Sequence, residues 1–234
     1  MGIRRLAAVA VLGLAAVAPA VLARPDDGVP KPAGTTFWFG ANEARTSILF
    51  ESETSVEVIH GITHTMSGTA ALDMEKGEGN ADLHVPVKSL DTGLAARNGH
   101  LQGEDWLDAA KFPEIVFTAK SIARKGVDEK KREVWAYEGE ISIHGVTKAL
   151  KGQATIQKIP AEMEKSIGPG SWIWVKTAFQ VPLKEFGISV PEGQAAKVSP
   201  TWDIRIDIFG TTEKPKPRAK AGEKGGEKPA PKGE

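Results

Sequence analysis

The sequence predicts an all-β protein, a closed antiparallel barrel or a sandwich, carrying one short helical lid. Three observations lead there. Apolar residues recur at every second position in many short runs of even spacing. One short helical stretch interrupts them, and strands do not alternate with helices as a parallel sheet requires. About eight strands suffice to close a barrel whose interior is either filled or holds one small ligand.

The elements follow in order. Met1 to Arg5 is a short basic stretch, and Leu6 to Leu22 is an apolar run ending in small residues. That is the pattern of a secretory signal peptide over residues 1–23, cleaved after Ala23, with Ala20 as a second point. Residues 24–35, rich in Pro, Gly and charge, read as a flexible leader. The barrel domain is expected over 36–211. Phe37 to Phe39 begins its first strand, and Ile48 and Phe50 share a face in the next run. Val56, Val58 and His60 continue as strand, Gly61 marks a turn or bulge, and Met66 to Leu72 returns. Lys76 to Asn80 is a hairpin loop. After it Leu83, Val85 and Val87 fall on one side of a strand, against Asp82, His84, Pro86 and Lys88.

Asp91 and Thr92 then offer capping oxygens, Gly93 a break, and Leu94 to Gln102 takes a helical period. Leu94, Asn98 and Leu101 share a face, with Arg97 and His100 beside it. A second turn, Asp105 to Ala110, presents Trp106 and Leu107, and Phe112-Pro113 ends it. Ile115 to Ile122 resumes as strand, and Ala123 to Arg132 is a charged hairpin connection. Trp135, Tyr137, Gly139, Ile141 and Ile143 share one face of a strand that turns at His144 to Thr147. Leu150, Gly152, Ala154 and Ile156 return beside it, and the small residues Gly139, Gly152 and Ala154 are expected to leave room inside. Pro160 to Gly170 reads as an exposed loop. Ile173, Val175, Thr177, Phe179 and Val181 alternate next, and Trp202, Ile204, Ile206 and Ile208 form the cleanest strand face. Residues 212–234 lack any large apolar side chain and are expected to be a disordered Lys/Pro/Gly/Glu-rich tail.

Charge and composition narrow the function. The tail from Glu213 carries seven Lys or Arg against four Glu, while Arg24 to Thr212 carries 21 basic and 26 acidic residues. A body of that sign is a poor polyanion binder, so nucleic acid is not an expected partner. The absence of cysteine removes disulfides, thiol catalysis and the thioether lipid anchor. His60 and His64 are four apart, but at a strand end that spacing has no ligating meaning, and no metal is expected. No serine sits in a nucleophile elbow, and no phosphate loop or dinucleotide fingerprint occurs, so neither catalytic residues nor a cofactor are expected. The tail reads as a solvated linker, with transient contact with a membrane surface as the other use of its charge.

Three blocks carry a resemblance. SLDTGLAARNGHL, then DWLDAAKFPEIVFTAKSI, then YEGEISIHGVTKAL resemble, in order and spacing, the signature of the YceI-like family. The likeness spans roughly Phe37 to Phe209. It is looser over EVIHGITHTMSGT, and the Pro160–Gly170 loop and the tail look like additions. It implies an eight-stranded antiparallel lipocalin-like barrel in the bacterial periplasm, holding a polyisoprenoid, a quinone-type chain or another long-chain lipid. The family's Arg-x-x-His-Leu pattern falls on Arg97, His100 and Leu101.

On that reading Arg97, Asn98 and His100 are the candidate head-group residues, since an arginine fork suits a diphosphate or a carbonyl oxygen. Capping the helix or bonding strand ends is the other use of these side chains. The candidate tail pocket is Leu83, Val85, Val87, Leu94, Leu101, Trp106, Phe117, Trp135, Ile141, Ile143, Phe179, Trp202, Ile204 and Ile206. The alternative from another class is a filled barrel that docks on a membrane partner without lipid. The sequence sets no oligomeric state.

Overall fold

The structure, a computed structural model, describes residues 34–215; the expected signal peptide, almost all of the leader and most of the tail lie outside the described residues. Ten strand segments form one antiparallel sheet. They are β1 (Thr35–Phe39), β2 (Ser47–Glu53), β3 (Val58–Thr63), β4 (Ser67–Asp73) and β5 (Glu78–Pro86), followed by β6 (Glu114–Val127), β7 (Glu133–Ile143), β8 (Val146–Lys158), β9 (Trp172–Pro182) and β10 (Thr201–Thr211). Two helices accompany them, α1 (Ala95–Leu101) and α2 (Ala161–Ile167).

The ten segments make eight ribbons. β1 and β2 are one strand interrupted by the turn at Glu43–Arg45, because both pair with the same edge of β10: Trp38 opposite Thr211, and Ser47 opposite Asp207. β3 and β4 continue one another in the same way, β3 against β2 and β4 against β1. From there each ribbon pairs with the next, and β10 returns to the first. The result is a closed eight-stranded antiparallel barrel, each ribbon paired on both sides over at least part of its length, as the resemblance implied. The wall curves at bulges between Gly79 and Ala81, between Ala119 and Ser121, and between Arg124 and Gly126.

A meander sends alternate connections to opposite ends. One end carries the β2–β3 turn, the lid over residues 87–113, the β7–β8 turn and the loop over 183–200. The β7–β8 turn is a two-residue loop with positive φ at both His144 (52°) and Gly145 (74°), the geometry whose twist matches a hairpin. The opposite end is packed by Trp135, Phe37, Phe39, Leu72, Ile173 and Ile208, all under 5% exposed.

Three readings of the connections are corrected. The segment Ala123–Arg132 is not all loop: β6 runs on to Val127, and only Asp128–Arg132 turns, held by Asp128 Oδ1 accepting the Lys130 and Arg132 N–H groups. Pro160–Gly170 contains α2, for which Pro160 sets the entry and Glu162 and Glu164 complement the N-terminal dipole. Val56 lies in the β2–β3 turn, where it is 68% exposed.

Gly139 and Gly152 do not leave room inside. A β-carbon at Gly139 would strike the backbone of Thr118 and Ala119, and one at Gly152 would strike the Tyr137 ring. Glycine is required there for close approach, and its space is already filled.

Candidate functional site

Strand parity builds a cavity beneath the lid. Every second residue of each ribbon points inward, and the inward set leaves a void of about 170 Å³. Its wall is aliphatic and aromatic: Trp202, Ile204 and Ile206 from β10, Val175 and Phe179 from β9, Ile141 and Ile143 from β7, Leu83 and Val85 from β5, Phe117 from β6. Ala154 supplies the one small inward position of β8 on this wall. Among the described residues, no charged side chain lines it. An apolar cavity of about 150 Å³ stays dry and admits a benzene ring, whereas drug-sized ligands occupy roughly 300–1,000 Å³. The closed form therefore has room for a ring or a short piece of chain. A long chain requires the lid or the wall to give.

The polar atoms on the wall are few. Thr177 Oγ1 donates to the Gln153 carbonyl at 2.8 Å, and that leaves it to accept from the Tyr137 hydroxyl at 3.2 Å. Burial pushes the Tyr137 phenol up and the bond to Thr177 only partly offsets it, so the ring stays neutral. Trp135 gives its indole N–H to Glu133 at 3.2 Å. Trp202 differs: its Nε1 is buried and, among the described residues, has no acceptor.

The lid closes the cavity with its own apolar face. Leu90 and Leu107 reach the void itself, while Val87, Leu101 and Ala109 pack with Phe186 and Ile188 around its rim. Trp106 stacks on Trp202 with ring centres 6.3 Å apart, and Trp202 stacks on Phe50 at 4.9 Å. The lid's ends are tied together by Val87 N–H donating to the Pro113 carbonyl at 2.9 Å. Its middle is tied to the barrel, because Ile62 and Asp91 exchange backbone hydrogen bonds of 2.8 and 2.9 Å. On the outside of this hinge His84 bonds both Asp82, at 3.1 Å, and Glu114, at 3.0 Å. Partial burial opposes the charged form of His84, but the two carboxylates outweigh it and raise the imidazole above its ordinary value.

The predicted residues fall into three groups. Leu83, Val85, Phe117, Trp135, Ile141, Ile143, Phe179, Trp202, Ile204 and Ile206 all line the void. Val87, Leu101 and Trp106 do not; they pack behind it, because the chain leaves strand geometry at Pro86 and the lid residues lie above the opening. Leu94 is the clear correction. It is the extended N-cap of α1 and 54% exposed, so it shares no buried face with Leu101.

The three head-group candidates lie on the outer side of α1, and none lines the void. Arg97 pairs with Glu57 of the β2–β3 turn at 3.1 Å, which ties the helix to the barrel rim. Asn98 organises the helix entry: its Oδ1 accepts the Thr92 N–H and hydroxyl at 2.8 and 2.7 Å, and its Nδ2 donates to Asp91. That bond, with the Gly93 N–H, holds the Asp91 carboxyl below the usual range. His100 is exposed.

Two features escaped sequence reasoning. One is the Trp202 N–H, since no sequence pattern reports an unpartnered donor. The other is a fork in the wall. β8 and β9 pair only from Ala154–Thr177 to Lys158–Ile173, although β8 starts at Val146 and β9 ends at Pro182. Toward the lid they part, and Leu150 and Phe179, half-buried and both on the cavity lining, stand on either side. Among the described residues, no group of three His, Asp or Glu is placed to hold a metal ion.

Comparison with known proteins gives a consistent picture. The YceI-like domain family matches over residues 39–209. A UPF0312 protein of Pseudomonas savastanoi pv. phaseolicola is 30% identical over 161 residues, covering 67% of this chain and 75% of the relative. Among solved structures, BcnA of Burkholderia cenocepacia superposes with a TM-score of 0.60 at 18% identity, over 73% of this chain and 99% of that one. A polyisoprenoid binding domain from Saccharophagus degradans, implicated in plant cell wall breakdown, gives 0.57 at 15% identity, over 76% and 98%.

Proposed function

Because the chain belongs to the YceI family, we propose that it is a lipid-binding protein of the periplasm or cell exterior. Its ligand is the apolar chain of a polyisoprenoid or comparable long-chain lipid, quinone-type chains included, held inside the barrel. The observation that carries this reading is the uncharged, aliphatic and aromatic wall of the void under a lid that is itself apolar on its inner face. Each buried methylene contributes about 0.8 kcal/mol, so a few isoprene units give useful affinity without any directed polar contact. The likeness to a polyisoprenoid binding domain supports the ligand class. The basic and apolar start of the chain supports export.

The route of entry we assign to the fork between β8 and β9, where no ladder hydrogen bonds need to break for the wall to part. Such a ligand is selected by chain girth more than by head-group chemistry. The two hydroxyls on the described wall, Tyr137 and Thr177, bond one another, and no carboxylate, imidazole or amine stands on that wall beside them, which supports a reading of carriage over turnover.

The test is extraction of the protein purified from its own host, followed by mass spectrometry. A stoichiometric long-chain lipid is expected, and its amount falls at least tenfold in Ala154→Phe, which puts a ring into the void. Protein free of lipid in both forms, together with failure to load an added isoprenoid, would favour the filled barrel that docks on a membrane partner.

A further inference from the structure

Among the described residues, the Trp202 indole is the one polar group of the cavity wall left without a partner. Its side chain is more than nine-tenths buried, while Trp135, Trp172 and Trp174 each give their indole N–H to a protein acceptor. An unpaired donor in an apolar interior is costly, and native interiors keep very few. Phe or Leu at this position would be buried without that cost.

We propose that Trp202 Nε1–H is the polar anchor for the bound lipid, and that the lipid carries an uncharged acceptor oxygen, a carbonyl or ether, near its lid end. This rests on the lipid-binding reading and goes beyond it in naming what the ligand offers besides hydrocarbon. Three observations set the chemistry. Trp202 lines the void at the end the lid covers. Nothing charged among the described residues lines that void, so a phosphate or carboxylate would be desolvated there without a counter-charge. Arg97, the expected head-group cation, is held by Glu57 on the outer side of α1 and does not line the void.

The wall also explains how the donor is kept ready. Phe50 stacks on the ring with centres 4.9 Å apart, and Trp106 of the lid stacks on it more loosely, at 6.3 Å. In the closed barrel the N–H itself is buried. The indole N–H lies in the ring plane, so an acceptor carried in with the chain meets it at the ring's edge while both stacking neighbours stay in place. Trp202 thus acts as a specificity residue. It favours an oxygen-bearing lipid over a bare hydrocarbon of equal girth.

The experiment offers full-length protein an equimolar mixture of a decyl-substituted benzoquinone and decylbenzene, followed by extraction and quantification of both. Wild type is expected to load the quinone in at least tenfold preference, and Trp202→Phe to lose that preference, the two compounds then loading in a ratio near one. In parallel, the Trp202 indole N–H resonance of ¹⁵N-tryptophan-labelled wild type is expected to move downfield with the quinone and not with decylbenzene. This readout, assigned through nuclear Overhauser contacts to Phe50, needs no variant to fold. An unchanged loading ratio with an unmoved resonance would overturn the anchor and leave lipid binding standing. Wild type that loads neither compound would overturn both.

Discussion

At the scale of single residues, His84 links chemistry to the lid. It stands at the end of β5, bonded to Glu114 at the start of β6, and these two strands carry the hinge of the lid. Its folded-state value is raised, so the stabilisation is complete below the unfolded value of about 6.5 and is lost as pH rises through the folded value. Wild type is therefore expected to unfold at higher urea near pH 6 than near pH 8, and His84→Gln to flatten that difference. Equal midpoint shifts in both proteins would remove the clamp. Arg97 makes a contrasting case. Its pair with Glu57 is about one-third exposed at both partners, so Arg97→Ala is expected to cost at most about 1 kcal/mol. Lipid content after extraction should be unchanged, since Arg97 does not line the void. A lost lipid would restore the head-group role.

Residue identity was legible in the sequence where a strand has one wet and one dry face. Trp202, Ile204 and Ile206 alternate with Asp203, Arg205 and Asp207, and parity alone turns them inward. The same logic failed at Leu94, where an extended cap residue was read as part of a helical face. It also failed at Gly139 and Gly152, because a small side chain marks either a hollow or a neighbour pressed close, and only coordinates separate the two.

At the scale of elements, the lid and the fork divide the work. The lid is a chain segment pinned at both ends and at Asp91, with its apolar side facing the barrel. The fork is a region where two long strands stop pairing. Neither was legible in full. The helical period of α1 was, since it is local. The register of β8 against β9 was not, since where pairing stops depends on how distant segments curve. The chain contains no cysteine, so Lys151→Cys and Gln180→Cys, placed on the two sides of the fork, can be bridged by a short bismaleimide without side reactions. The bridged protein is expected to take up an added isoprenoid at least tenfold more slowly than the unbridged pair variant. Equal rates would move the entry route to the lid.

At the scale of the whole molecule, stability and occupancy are coupled. A ligand that binds only the folded barrel stabilises it by about 2.7 kcal/mol at a hundredfold excess over its dissociation constant. For a domain of this size that corresponds to a rise in Tm of roughly 5–11 °C. Delipidated protein is expected to melt lower than protein reloaded with an isoprenoid, by scanning calorimetry on both. Identical melting would mean that the interior gains nothing from a guest.

The closure of the ring by its first and last strands sets an order of events. Trp38 and Phe39 meet Thr211 and Gly210, so the seam joins the two ends of the domain. Every other ribbon can find its partner from the chain beside it, but this clasp has to wait for the final segment. Until Thr201–Thr211 arrives, the sheet stands open, with two unsatisfied margins and an oily inner surface in reach of water. A chain leaving a ribosome or a translocation channel is thus exposed to stray pairing longest at its own beginning, and its safest course is to assemble only after release.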